Sequence, residues 1–337
     1  MPMLTPSQVH LDQPLTNLTL AYLQDETNFI ADRVFPNVPV SKQTDKYYIY
    51  NREDFNRSGN VKPLAPRTRP ERVGMGLSTD SYSVEVRALA TDFDHQTIAN
   101  EDTMLDIRAA GARMLTQQLL IDREKRWIST YFATNVWDTE YDGVANADNN
   151  LDSEVTQWDD YTNSTPIVDV TTAKRAAKLA SGGFRPNIMV VTEDVRDTLI
   201  NHPDIIDRIS GGATTINPAL VTDRMLAQVF DVEEFMVIGA VENTAADGAT
   251  ESNAFVATKK AALYYRPVAP GLMVPAAGYN FTWTGLENSS GYGVSTLSYT
   301  GDWLSIEGIA EEIHVVMGYD QKVVGSEMGV FFNTILS

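Results

Sequence analysis

Residue types that carry chemistry are thinly spread along this chain. The four histidines, His10, His95, His202 and His314, stand far apart, and each is expected to be structural. The phosphate-cradling P-loop, the dinucleotide glycine fingerprint, the zinc-binding HExxH helix and the GxSxG nucleophile elbow are all absent. Glu311-Glu312 and Asp159-Asp160 are adjacent in sequence, so in a strand or loop the side chains of each pair point apart. Asn146, Asp148, Asn150, Asp152 and Glu154 space oxygen side chains as a calcium loop does. The turn glycine and the glutamate at the twelfth position are missing, so a solvated loop is the expectation. Lys259-Lys260 is expected to be a solvated doublet. Cysteine is absent, which removes disulfides and thiolate metal sites. No catalytic, cofactor or metal site is expected.

Charge is the stronger signal. The formal net charge of −19 argues against a dedicated nucleic-acid binder, because neutralising phosphates needs lysine and arginine. That charge is uneven. Residues 46–72 carry seven basic and three acidic side chains, whereas residues 127–337 carry 11 basic and 28 acidic. Arg52, Arg57, Lys62, Arg67, Arg69 and Arg72 make up most of the basic segment, and its last three arginines alternate with prolines. The segment is either solvated without a role or lies on the acidic body of a neighbouring copy.

The elements around it follow from periodicity. Residues 102–132 lack proline and repeat apolar or small side chains at Leu105, Ala109, Ala112, Leu115 and Leu119, one buried helical face. Asn100 is the expected cap. Such a helix is about 45 Å long and reads as a spine, since its charges exclude a membrane span. Residues 1–45 read as an arm, with short helices near Leu18–Leu23 and Asn28–Val34 and then an extended path through FPNVPV. The arm wraps its own body or reaches a neighbour; Leu18, Leu20 and Tyr22 are contact candidates alongside the basic segment. KYYIYN and SYSVEV are strands flanking SGNVKPLAPRTRPERVGMG, a long two-stranded hairpin that is marginal in water without a partner surface. Residues 186–240 alternate strand and helix: PNIMVVT, a helix broken at His202-Pro203, a helix at 221–230 and a strand at 235–238. IEGIAEEIHVVMGYDQKVV is one long strand, followed by a short apolar tail. No apolar run reaches the roughly 20 residues of a membrane span, and the first residues lack the pattern of a signal peptide, so a soluble cytosolic product is expected.

In their order and spacing these elements resemble the tailed-bacteriophage major capsid proteins of the Hong Kong 97 fold. The resemblance rests on FPNVPVSKQTDKYYIYNREDF, on TIANEDTMLDIRAAGA leading into LLIDREKRW, on RPNIMVVTEDVRDTLINHPDIIDRISGG, on LAQVFDVEEFMVIGAVEN and on IEGIAEEIHVVMGYDQKVV. It implies an α+β fold with an N-terminal arm (1–45), an extended hairpin or E-loop (46–94) and a peripheral domain holding the spine helix (95–185). An α/β axial domain (186–304) and a return strand with a C-terminal tail (305–337) complete it. It also implies self-assembly into hexamers and pentamers of an icosahedral head that encloses double-stranded DNA without binding it specifically, with no enzymatic activity. Scaffolding, portal and decoration proteins are the implied partners, the virion is the implied location, and assembly takes place in the host cytoplasm. Two alternatives stay open at this level: an encapsulin-like bacterial nanocompartment shell, and an α/β enzyme such as a hydrolase.

Overall fold

The computed structural model describes residues 23–100, 106–145, 147, 153–210, 221–246, 248–271, 273–285, 295–299 and 310–337. A 3-10 turn at Glu26–Asn28 and helix α1 (Ala31–Val34) lead into strands β1 (Asn37–Val40) and β2 (Thr44–Tyr50). Helix α2 (Arg52–Phe55), β3 (Leu77–Ser83), β4 (Glu85–Asp94) and α3 (His95–Ala99) precede the long helix α4 (Ile107–Tyr131). Then come β5 (Thr139–Val144), β6 (Glu154–Thr156), α5 (Pro166–Ala180), β7 (Ile188–Thr192), α6 (Glu193–Ile200), α7 (Pro203–Ser210), α8 (Asp223–Val229) and β8 (Glu234–Ile238). β9 (Val241–Asn243), β10 (Asn253–Phe255), β11 (Ala261–Tyr264), β12 (Gly278–Trp283), β13 (Ser295–Tyr299), β14 (Ala310–Val323) and β15 (Gly329–Asn333) follow.

Two sheets divide the work. The six-stranded sheet runs β6-β5-β15-β11-β7-β8, with β11 antiparallel to both its neighbours and the other pairs parallel. Its inner strands are unbroken apolar runs because both faces are covered. Alternation sends Met189, Val191, Leu263 and Phe332 to one core, shared with Val170, Val195, Leu199, Ile205 and Leu226 of the helices. Ile188, Val190, Tyr264 and Phe331 point the other way, into a core built with Ile30, Phe35, Trp127 and Phe132. The second sheet centres on β14, which pairs with β4, β12 and β13, while β1 lies parallel beside β12. Helix α4 lies on it, Leu115 and Leu119 packing on Val315, Met317 and Tyr319.

Several expectations change in detail. Asn100 does not cap the spine. Asp94 caps α3, accepting from the Thr97 amide at 2.8 Å, and Asn100 closes that helix by donating its amide to Gln96. The spine starts at Ile107, where Asp106 accepts from the Ala109 amide at 2.9 Å; residues 101–105 lie outside the described residues. The expected apolar tail is an inner strand, because Phe331 and Phe332 fill the two opposite cores. β5 and β6 lie in one sheet with β7, and β12 and β13 in one sheet with β14.

β2 and β3 form a separate antiparallel ribbon, paired from Thr44↔Ser83 to Tyr50↔Leu77. Its root is anchored in the second sheet, and at its far end Arg52 and Asn56 touch the body at Glu327 and the Gly182 carbonyl. Tyr82 stacks on Phe281 at 4.7 Å, Tyr47 sits 5.5 Å from the same ring, and Lys322 reaches Asp80 at 3.0 Å. Towards its far end, Tyr48 and Leu77 are exposed.

Candidate assembly surfaces

At the far end of the ribbon the chain opens into residues 51–76. The loop is closed at its neck: the Asn51 amide donates to the Gly76 carbonyl at 3.2 Å and the Gly76 amide to Asp54 Oδ2 at 2.7 Å. The basic residues there divide into two sets. Arg52 pairs with Glu327 of the body at 2.8 Å, and Lys62 with Glu71 at 2.7 Å; Arg57 lies 4.0 Å from Glu53. Arg67, Arg69 and Arg72 are exposed and make no ion pair with any described residue. Arg67 takes a positive φ of 68°, in the turn closed by the Thr68 amide on the Ala65 carbonyl.

Charge is only half of this surface. Phe55, Val61, Leu64, Val73 and Met75 are all exposed, Val61 at 85 %. Composition makes the loop look poor in large apolar groups. The signal available in the sequence is that these side chains sit singly among prolines and glycines, with no local counterpart to bury them.

The arm behaves differently. Leu18, Leu20 and Tyr22 lie outside the described residues. From residue 23 to 40 the chain is bound to its own body, which decides between the two readings for this stretch. Gln24 exchanges both side-chain hydrogen bonds with the Val241 backbone. Phe29, Ile30, Ala31, Val34 and Phe35 are buried, with Phe35 edge-on to Trp127, Tyr131 and Tyr264. Glu124 of the spine, fully buried, accepts the amides of Ile30 (3.1 Å) and Ala31 (2.9 Å) through one oxygen. Burial pushes its carboxyl up to about 7, with those two amides pulling the other way. Next to it Arg123 lies 3.5 Å from Asp32 of α1. Arg33 and Arg266 both grip Glu234, which ties the arm to the edge of the six-stranded sheet.

The other polar groups named from the sequence are absorbed into structure. His202 is buried and its ring Nε2 lies 3.0 Å from Ser164 Oγ, a pairing that invites comparison with a hydrolase nucleophile and base. The proton is on the wrong nitrogen for that role. The Asp204 amide donates to Nδ1 at 3.2 Å, so the neutral ring carries its proton on Nε2 and donates to Ser164, which donates on to the Asp160 carbonyl. Burial lowers the His202 pKa and keeps the ring neutral. His314 pairs with Glu312 at 2.5 Å across one strand face, and His95 opens α3. His10 and most of the oxygen-rich run 146–152 lie outside the described residues; among the described residues no cluster of three or more His, Asp or Glu is placed to hold a metal. Lys259-Lys260 is solvated in one half only: Lys259 is exposed and bonds the Ser337 carbonyl, whereas half-buried Lys260 reaches the Phe132 carbonyl at 3.4 Å and lies over the Phe331 ring. The reason is the inner position of β15, which brings the end of the chain to them.

An exposed ribbon, a long spine on one sheet and an α/β unit on the other define a class, the Hong Kong 97-like capsid fold. Comparison with solved structures agrees. A phage-related protein from Bordetella bronchiseptica RB50 superposes with a TM-score of 0.63 at 20 % identity, covering 93 % of this chain and 94 % of that one. A chain of the capsid structure of cyanophage P-SCSP1u gives 0.58 at 10 % identity, covering 98 % and 94 %. Sequence similarity is narrower in its reach. Residues 144–281 match the family described as Phage major capsid protein E. The major capsid protein of Pseudomonas phage JBD67 is 28 % identical over 244 residues, 72 % of each chain, and that of Burkholderia phage BcepMu 26 % over 235, covering 68 % and 69 %. In sequence as in fold, the chain resembles phage major capsid proteins.

Proposed function

We propose that this chain is the major capsid protein of a phage, a subunit whose copies close into the shell of the head. The observation that carries the reading is the ribbon and its loop: exposed apolar side chains and three arginines without ion-pair partners on a two-stranded element that is marginal alone. Another copy of the chain supplies the missing surface. Hexamers and pentamers are the closed arrangements, and the acidic bulk leaves the wall non-adhesive to the enclosed double-stranded DNA. A scaffolding protein guides closure, a portal protein occupies one vertex, and a decoration protein is a further outer partner. Assembly takes place in the host cytoplasm. The reading contains no catalytic step.

Magnitudes decide which part of the loop holds it down. Each exposed ion pair is worth about 0–1 kcal/mol, whereas fully burying one large apolar side chain is worth about 1.5–3 kcal/mol. Val61, Leu64, Val73 and Met75 therefore supply most of the affinity, and Arg67, Arg69 and Arg72 set register and approach rate. The test uses two variants checked for folding by circular dichroism. Arg67→Glu/Arg69→Glu/Arg72→Glu should slow assembly, and added salt, which weakens the wild-type contact, should partly relieve the defect by screening the new like-charge repulsion. Val61→Ser/Leu64→Ser/Val73→Ser/Met75→Ser should stop it. Wild-type shell yield from the second variant would refute the proposal.

A further inference from the structure

A second unpartnered surface lies on α5. Its buried positions, Ile167, Val170, Ala173, Lys174 and Ala177, leave Val168, Thr172, Arg175 and Leu179 as one outward stripe at spacings of four, three and four. Leu179 is 85 % and Val168 59 % exposed. This helix and the turn after it are also the basic island of the acidic body: Lys174, Arg175, Lys178 and Arg185 are four of its eleven cations. Two of them are engaged within the chain. Lys174 donates to the Phe230 carbonyl at 3.0 Å, and Arg185 pairs with Asp231 at 3.2 Å. Arg175 and Lys178 are exposed and make no ion pair with any described residue.

Opposite charge lies on the same unit, out of reach. Asp197 of α6 and Asp204 and Asp207 of α7 are exposed, and residues 193–210 carry five acids against two bases. The Ser164–His202 bond at 3.0 Å ties the start of α5 to the start of α7. Leu179 is near the far end of α5, about 20 Å along its axis from that point. Leu179 and Asp204, at the start of α7, are therefore too far apart to meet within one subunit.

We infer that the Val168–Leu179 face of α5 docks head-to-tail on the acidic α6–α7 edge of a second copy of this chain. The charge pattern chooses this occupant over the 51–76 loop of a neighbour, which is itself basic and whose own-subunit copy already reaches the turn after α5, Asn56 donating to the Gly182 carbonyl at 3.3 Å. A contact between two different patches propagates, and it closes as a ring. The inference rests on the shell-forming role proposed above and adds where neighbouring α/β units meet.

Absence of cysteine makes the test clean. Leu179→Cys/Asp204→Cys should, on oxidation of assembled protein, give a ladder of disulfide-linked species ending at the ring size. An intrachain bond between those positions is precluded by their separation. Either single variant should give none, and a dimer from Leu179→Cys alone would overturn the inference in favour of a two-fold contact. In parallel, Arg175→Glu/Lys178→Glu should lose assembly while staying folded, and adding Asp197→Lys/Asp204→Lys should restore it. Shells that form normally from the charge variant, or show no ladder, would refute this contact and leave the shell-forming role intact. Wild-type protein that never assembles would refute both.

Discussion

Replacing Phe35 by alanine separates an arm that belongs to its own subunit from one that merely rests there. The ring is fully buried and meets Trp127 at 5.8 Å, Tyr131 at 5.4 Å and Tyr264 at 6.2 Å, all edge-on. Truncating a buried phenylalanine costs about 3–5 kcal/mol, because lost transfer energy and the cavity left behind add. Edge-on aromatic pairs, each worth about 0.5–1.5 kcal/mol beyond area burial, place this site towards the upper end. For a chain of this size that corresponds to a fall in Tm of roughly 4–7 °C. The assay is thermal unfolding of unassembled subunits followed by near-ultraviolet circular dichroism, which reads the packing of the buried aromatic rings, Trp127 among them. Leu64→Ala on the exposed loop is the control and should leave Tm unchanged. A Phe35→Ala subunit that melts with wild type would show that residues 29–35 are not part of the subunit's own core.

Glu124→Gln should change the pH profile. Because burial raises the folded-state carboxyl pKa from 4.5 to about 7, the stability linked to its proton is present below about 4.5 and lost as pH rises through about 7. The loss is about 3 kcal/mol, since each pH unit between those two values is worth about 1.36 kcal/mol. The glutamine variant, scanned for Tm between pH 5 and 8, should lack that decline; parallel curves would contradict the assignment. Gly329→Ala should be severely destabilising, by about 2–3 kcal/mol, since its Cβ would lie 1.9 Å from a ring carbon of buried Trp137. Denaturant titration checks this, and an unchanged midpoint would show that the indole can move.

The ribbon is legible in sequence because β-branched and aromatic runs flank a proline-rich middle, and the spine because its apolar stripe has a helical period. Caps depend on finer competition: Asp94 and Asp106 take the helix starts, and Asn100 is left to close α3. The tail VFFN is short enough to read as a loose end, and only the presence of two facing cores reveals that Phe331 and Phe332 are both needed. Residues 28–35 look too sparse to bury one another. Ile30, Ala31, Val34 and Phe35 are buried instead in one core with Trp127 and Tyr264, far along the chain, a pairing that local pattern does not encode. The loop's arginines stand out in composition, whereas the exposure of Val61, Leu64, Val73 and Met75 follows only from the ribbon holding them away from every core. Lys260 shows the reverse, a charge that looks destined for solvent until β15 arrives beneath it.

Electron microscopy of the expressed protein, alone and with its scaffolding partner, tests the shell-forming role most directly. The expected result is closed shells or their hexameric and pentameric rings, with each 51–76 loop lying on the neighbouring subunit and each 29–35 segment packed on its own spine. A compact monomer under every condition, scaffold included, would contradict it.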